Sequence, residues 1–110
     1  MEIIYTNKEF DKREIYKHTR AASVSLKDVK DGTKIAPVEV CIYADTNSKG
    51  EDVTITSIMD ADGNHYATNS RFLREELKYL LDLMGDEFFE IIIRKPVSKG
   101  GRTFVTCELA

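Results

Sequence analysis

Residues 37–68 read PVEVCIYADTNSKGEDVTITSIMDADGNHYAT, and the periodicity of this stretch decides the fold. From Pro37 onward Val38, Val40, Ile42 and Ala44 alternate with Glu39, Cys41, Tyr43 and Asp45, the pattern of a strand with one buried face. Asn47-Ser48-Lys49-Gly50 is a turn signal, and Val53 to Met59 is rich in β-branched residues, so a hairpin with a long loop follows. Asp62-Gly63-Asn64 supplies the positive-φ geometry of a tight turn, after which His65–Thr68 is long enough for a third strand. A three-stranded meander is predicted.

Downstream, Asn69 or Ser70 is placed to cap a helix. Leu73, Leu77, Leu80, Leu81 and Met84 recur at three- and four-residue spacing, and Gly85 sits at the C-cap. Phe88–Arg94 is a nearly continuous apolar run and Thr103–Leu109 alternates, with Pro96–Gly101 between them, which predicts a closing hairpin. Three strands, a helix and two strands is the element order of a five-stranded OB-like barrel with one long helix between strands 3 and 4. An α+β sandwich with the helix on one sheet face fits the same order. Upstream, Asn7 is placed to cap an amphipathic helix to about His18, so residues 1–20 read as an N-terminal helical arm. Ala21 to Lys34 favours turns and short extended pieces, and the whole of residues 1–110 reads as a single OB-like, mainly β domain.

Composition narrows the function classes. At 110 residues and 42% apolar content the chain has enough material for one hydrophobic core. It carries no apolar run near the roughly 18 residues of a membrane span and no signal-peptide pattern at its start, so a cytoplasmic location is expected. Cys41 and Cys107 have no C-x-x-C spacing and are expected to be reduced, half-buried strand residues. A net charge of −3 argues against coating nucleic acid by bulk positive charge, yet Arg94, Lys95, Lys99 and Arg102 stand together with no acid among them.

Catalytic signals are absent. His18 and His65 lie in different elements without a nucleophile motif, so both are expected at the surface or beside turns, and no enzymatic role, metal or cofactor is assigned. Asp60-Ala61-Asp62-Gly63 imitates a calcium loop, but its twelfth position is Arg71 rather than an acid. Gly85-Asp86-Glu87-Phe88 imitates a turn of diguanylate cyclases, whose domain is far larger than this chain. Ser98-Lys99-Gly100-Gly101 lacks the order of a phosphate-wrapping P-loop.

Binding signals are better. An OB barrel holds oligonucleotides across strands 2 and 3 and between two loops, which here are Asp45–Asp52, carrying Lys49, and Lys95–Thr103. Alternation turns Phe104 outward beside Arg102 and puts Tyr43 on the face of Glu39 and Cys41, while Tyr66 follows the turn into the third strand. Aromatic platforms interleaved with cations suit single-strand binding, although core packing explains each aromatic equally well. Arg71, Arg74 and Lys78 are diluted by Glu75, Glu76 and Asp82 and read as a solvated helix face.

Ser25–Ile35, Val53–Ala67 and Ser98-Lys99-Gly100 leading into Phe104 together resemble small phage single-stranded DNA-binding proteins. The likeness is to those of tailed phages with protein-primed replication and of related phages and prophages of Gram-positive bacteria, over roughly residues 23–109. The resemblance implies an OB-like, non-enzymatic protein that coats displaced strands during phage DNA replication in the bacterial host. Tyr43 and Tyr66 would then stack on bases and the basic loops track phosphates. The expected interface is Tyr43, Lys49, Tyr66, Arg94, Lys95, Lys99, Arg102 and Phe104, and the expected partners are single-stranded DNA and replication proteins, with the chain a monomer or weak homo-oligomer. The sequence departs from the pattern at Asn47-Ser48-Lys49, where a further aromatic would sit, and in its charged N-terminal arm. The competing reading is a protein-interaction module acting on a replication or host-defence factor through the edge of the first hairpin or the arm.

Overall fold

Residues 37–68 form the expected antiparallel meander, at the middle of a computed structural model that describes residues 1–110. In chain order the elements are β1 (Glu2–Thr6), α1 (Lys12–Arg20), β2 (Val24–Ser25), a 3-10 turn (Leu26–Asp28), β3 (Lys34–Ile35), β4 (Glu39–Thr46), β5 (Asp52–Met59), β6 (His65–Thr68), α2 (Arg71–Met84), β7 (Ile91–Arg94) and β8 (Thr106–Leu109). They make two open sheets, β1-β4-β5-β6-β2 and β3-β7-β8. The strands do not close into a barrel. The edge of β6 that would complete one is taken by β2, which adds in parallel with Val24 beside Tyr66 and Ser25 beside Ala67.

The two sheets are joined through Pro37. Val38 N–H donates to the Ala36 carbonyl at 2.9 Å, a three-residue turn whose central proline ring fixes φ and carries the chain from β3 in the small sheet to β4 in the large one.

The start of the chain corrects the helical-arm expectation. Ile3, Ile4, Tyr5 and Thr6 are β-branched or aromatic, and they pair with β4 as a strand with a bulge between Ile3 and Tyr5. Asn7 does not cap a helix. It completes the strand instead, donating its backbone N–H to Val40 O and its side-chain amide to Val38 O while accepting from Val40 N at 2.8 Å. The helix begins four residues later at Asp11, in a capping box in which the Asp11 carboxylate accepts Glu14 N–H and the Glu14 carboxylate accepts Asp11 N–H.

A single core lies between the large sheet, α2 and the small sheet. Val40, Ile42 and Ile58 meet Leu73, Leu77, Leu80 and Leu81 of α2 and Ile91, Ile93, Val105 and Cys107 of the small sheet. Ser70 caps α2 by accepting Leu73 N–H, and Gly85 ends it with φ 58°, as the leucine spacing implied. The other face of β4 is not solvated, because α1 lies across it, so Cys41 and Tyr43 are buried along with Val40 and Ile42. Both cysteines are free and fully rather than half buried, and burial pushes their thiols up to about 11 at Cys41 and about 12 at Cys107. The molecule is flat, 41 × 38 × 22 Å, and its 7147 Å² of surface exceeds the about 6,200 Å² expected of a rounder chain of this mass. No helix is long and apolar enough to cross a membrane.

Candidate nucleic-acid interface

Two glycine-containing loops carry three of the cations that stand outside the ion pairs. In the β4–β5 loop the Asn47 carboxamide accepts Lys49 N–H and Glu51 N–H, both at 2.9 Å, and Gly50 takes φ 78° to close the turn. Lys49 is thereby held at the tip. In the β7–β8 loop Ser98 N–H donates to Arg102 O at 2.8 Å, Gly101 N–H to Ser98 O at 2.9 Å, and Val97 bridges Thr103, which leaves Lys99 and Arg102 exposed. None of the ion pairs in the structure involves Lys49, Lys99 or Arg102.

Arg94 and Lys95, expected beside them, are employed otherwise. Arg94 Nε donates to Glu108 at 2.6 Å across the β7–β8 pair and its guanidinium faces Asp31 at 3.7 Å. Its pKa is raised further, chiefly by that hydrogen bond to Glu108. Lys95 donates its backbone N–H to Asp31 and its ammonium to the Lys27 carbonyl. These two residues brace the base of the hairpin against the segment that leads into β3. The sequence cluster is continuous, but its acids come from residue 31 and residue 108, outside any local window.

The aromatics divide as well. Tyr43 is buried, with Ile3 and Ile55 as its cross-strand neighbours, and burial, then Asp45, raises its phenol pKa. Tyr66 is half-buried and packs against the core; it is opposite Ile58, which lies three residues from Ile55, so Tyr43 and Tyr66 are on opposite faces of the large sheet. They do not form one platform. Replacing Tyr43 with alanine is expected to lower the urea midpoint by an amount equal to about 3–5 kcal/mol, as for other buried aromatics, whereas Tyr43→Phe should leave it nearly unchanged. Equal midpoints for Tyr43→Ala and wild type would contradict this.

Phe104 is half-buried against Phe72, with ring centroids 4.8 Å apart and planes at 45°. Phe72 itself is 57% exposed. Sequence reading missed it, although a signal exists: it lies one residue off the Leu73, Leu77, Leu80, Leu81 stripe and therefore about 100° round the helix from the buried side.

The edge of the first hairpin is not free for a partner, since β4 is bordered by β1 and β5. His65 lies beside a turn as expected, half-buried at the start of β6, but His18 does not fit the expectation of a surface or turn-adjacent place. His18 is buried and forms a chain with Glu39, Ser57 and His65, because α1 folds onto the large sheet. The acid–histidine–serine order of that chain has a fully buried serine at its centre, and it fastens α1 to β4, β5 and β6.

A family model described as phage single-stranded DNA-binding protein matches residues 3–110. The chain belongs to this family. Two curated members, each named single-stranded DNA-binding protein, come from Bacillus phage PZA and Bacillus phage phi29. Each is 29% identical over 92 residues, a span of 78% of this chain and 74% of the relative. No solved structure matches. In this phage single-stranded DNA-binding family member, the N-terminal edge strand of the large sheet and the helix that packs on that sheet lie almost wholly within the matched residues.

Proposed function

We propose that the chain coats single-stranded DNA without sequence preference during phage DNA replication, with Lys49, Lys99 and Arg102 contacting phosphates and Phe104 and Tyr66 supplying base contacts. Family membership supports the ligand class. The observation that carries the mode is that the three unpaired loop cations sit on the tips of the β4–β5 and β7–β8 hairpins, beside Gly50 and Gly100-Gly101, where the backbone is free to approach a strand. Arg94 and Lys95 act as the frame of the second loop rather than as phosphate ligands, and Tyr43 shapes β4. The order β4-β5-β6, α2, β7-β8, with β3 leading into β4 across the two sheets, is compatible with an OB-like barrel opened between β6 and β8. An acidic total charge accords with this, because a few loop cations are enough to meet phosphates while the chain as a whole stays negative.

The test is a titration with labelled dT oligonucleotide and a matched duplex at low and moderate salt, followed by tyrosine fluorescence, which is unobscured because the chain has five Tyr and no Trp. Preference for the single strand, weakening with salt, is expected. A folded sample that binds neither nucleic acid at low salt would overturn the reading.

A further inference from the structure

Phe72 stands at the first turn of α2 with more than half its surface in water, and its ring contact with Phe104 leaves one face open to solvent. Beside it lies a groove of about 290 Å³ whose lining includes Phe72, Phe104, Lys27, Arg71, Asn69 and Thr103. That volume falls at the lower edge of the roughly 300–1,000 Å³ typical of small-molecule sites, so it suits one planar group rather than a folded partner.

The chemistry of the rim fits the groove's size. Two tilted rings offer a π-face and an edge, the arrangement on which a planar aromatic ring stacks. Lys27 and Arg71 are exposed cations on its border, and the exposed Arg71–Glu75 pair is weak enough to yield to a phosphate. Asn69 carries both an amide donor and a carbonyl acceptor, which lets it meet the edge of any of the four bases.

The groove is also rigid. The Ser70 hydroxyl accepts Leu73 N–H as the cap of α2 and donates to the Val105 carbonyl, and Thr68 Oγ1 accepts Ser70 N–H at 3.1 Å. The backbone segments that carry the two rings are therefore tied to each other before anything binds, which limits the ordering cost of binding.

We infer that this groove is a seat for a single unpaired nucleobase of the bound strand, stacked on Phe72 and Phe104 with its flanking phosphate between Lys27 and Arg71. The inference rests on the single-strand reading above and adds a site to it. A duplex presents no free base face to such a seat, so the seat favours single strands independently of charge.

The test uses the full chain and a dT oligonucleotide containing one 5-iododeoxyuridine. Photocrosslinking followed by peptide mapping is expected to mark Phe72 or Phe104. Phe72→Ala should weaken dT binding by about 5- to 150-fold, the equivalent of about 1–3 kcal/mol per stacked base, with the salt slope unchanged, and Phe72→Trp should restore it. Phe72→Ala gives up the ring contact with Phe104 but gains helix propensity, so a thermal melt should show the variant fully folded at the temperature of the titration. Free thymidine monophosphate added at millimolar level should leave the oligonucleotide bound if the seat serves the strand; full displacement would assign the groove to free nucleotides and overturn the inference. Wild-type affinity in Phe72→Ala with crosslinks elsewhere would remove the seat and leave the single-strand reading intact. Failure of the wild-type chain to bind dT at all would remove both.

Discussion

Replacing Lys49, Lys99 and Arg102 together with alanine is expected to weaken dT binding by about two to three orders of magnitude at 50 mM salt and to flatten its salt dependence. Each phosphate contact on a single strand releases counterions worth a slope of about −0.7 in log K against log salt. Three contacts give a slope near −2, and between 1 M and 0.05 M salt each contributes about 0.9 log unit. The wild-type and triple-variant curves should therefore converge toward 1 M. The fold should be indifferent to the change, since all three side chains are exposed and the loops are closed by Asn47, Ser98 and their backbone partners. Arg94→Ala is the internal control: it breaks the contacts to Glu108 and Asp31 but leaves the loop tips charged, so the salt slope should stay at its wild-type value. If the triple variant retains the wild-type slope, the loop cations are not the phosphate ligands.

This separation of Lys99 and Arg102 from Arg94 and Lys95 marks where the sequence stopped being informative. The meander, α2 and the closing hairpin were legible because their signals are local: period-two alternation, Asp-Gly and Lys-Gly turns, Ser70 and Gly85 at the helix ends. β2 is two residues long and pairs in parallel with a strand some forty residues away, and nothing local encodes that. The burial of Tyr43 likewise depends on α1 lying over β4, so a face that alternation marks as polar is covered by an element from another part of the chain. A basic cluster can be read as a unit, but which of its members remain free depends on where Asp31 and Glu108 arrive.

The attachment of α1 gives the second large expectation, that His18→Ala destabilises the protein by about 2–4 kcal/mol. The His18 ring is fully buried, stacks on Phe10 at 4.9 Å, and contacts Glu39 through Nε2 at 3.1 Å and Ser57 through Nδ1 at 2.7 Å. Ser57 in turn meets His65 Nε2 at 2.7 Å, and His65 Nδ1 faces the Ala22 carbonyl at 3.2 Å. Removing the ring opens a cavity and leaves Ser57 and Glu39 short of a partner beneath the helix.

With both histidines neutral this chain has three hydrogens for its four contacts. The contact left without one is best assigned to His65 and Ala22, the longest and most exposed. Burial lowers the pKa of His18, against the pull of Glu39 and Glu14, and burial lowers that of His65, against the Ala22 carbonyl. Both folded values then lie below the unfolded value of about 6.5, so the unfolded chain binds more protons and stability must fall as the pH drops below about 6.5. Glu39 does not offset this. Although burial raises it, Lys8 and His18 hold it below its ordinary value, so its own contribution is lost only at lower pH. The urea midpoint of the wild-type chain should accordingly be lower at pH 5.5 than at pH 7.5. In His18→Ala the midpoint should be low at both and the difference smaller, while His18→Gln, which donates and accepts, should recover part of the loss. A His18→Ala variant as stable as wild type at pH 7.5 would mean that α1 is held by its apolar contacts alone.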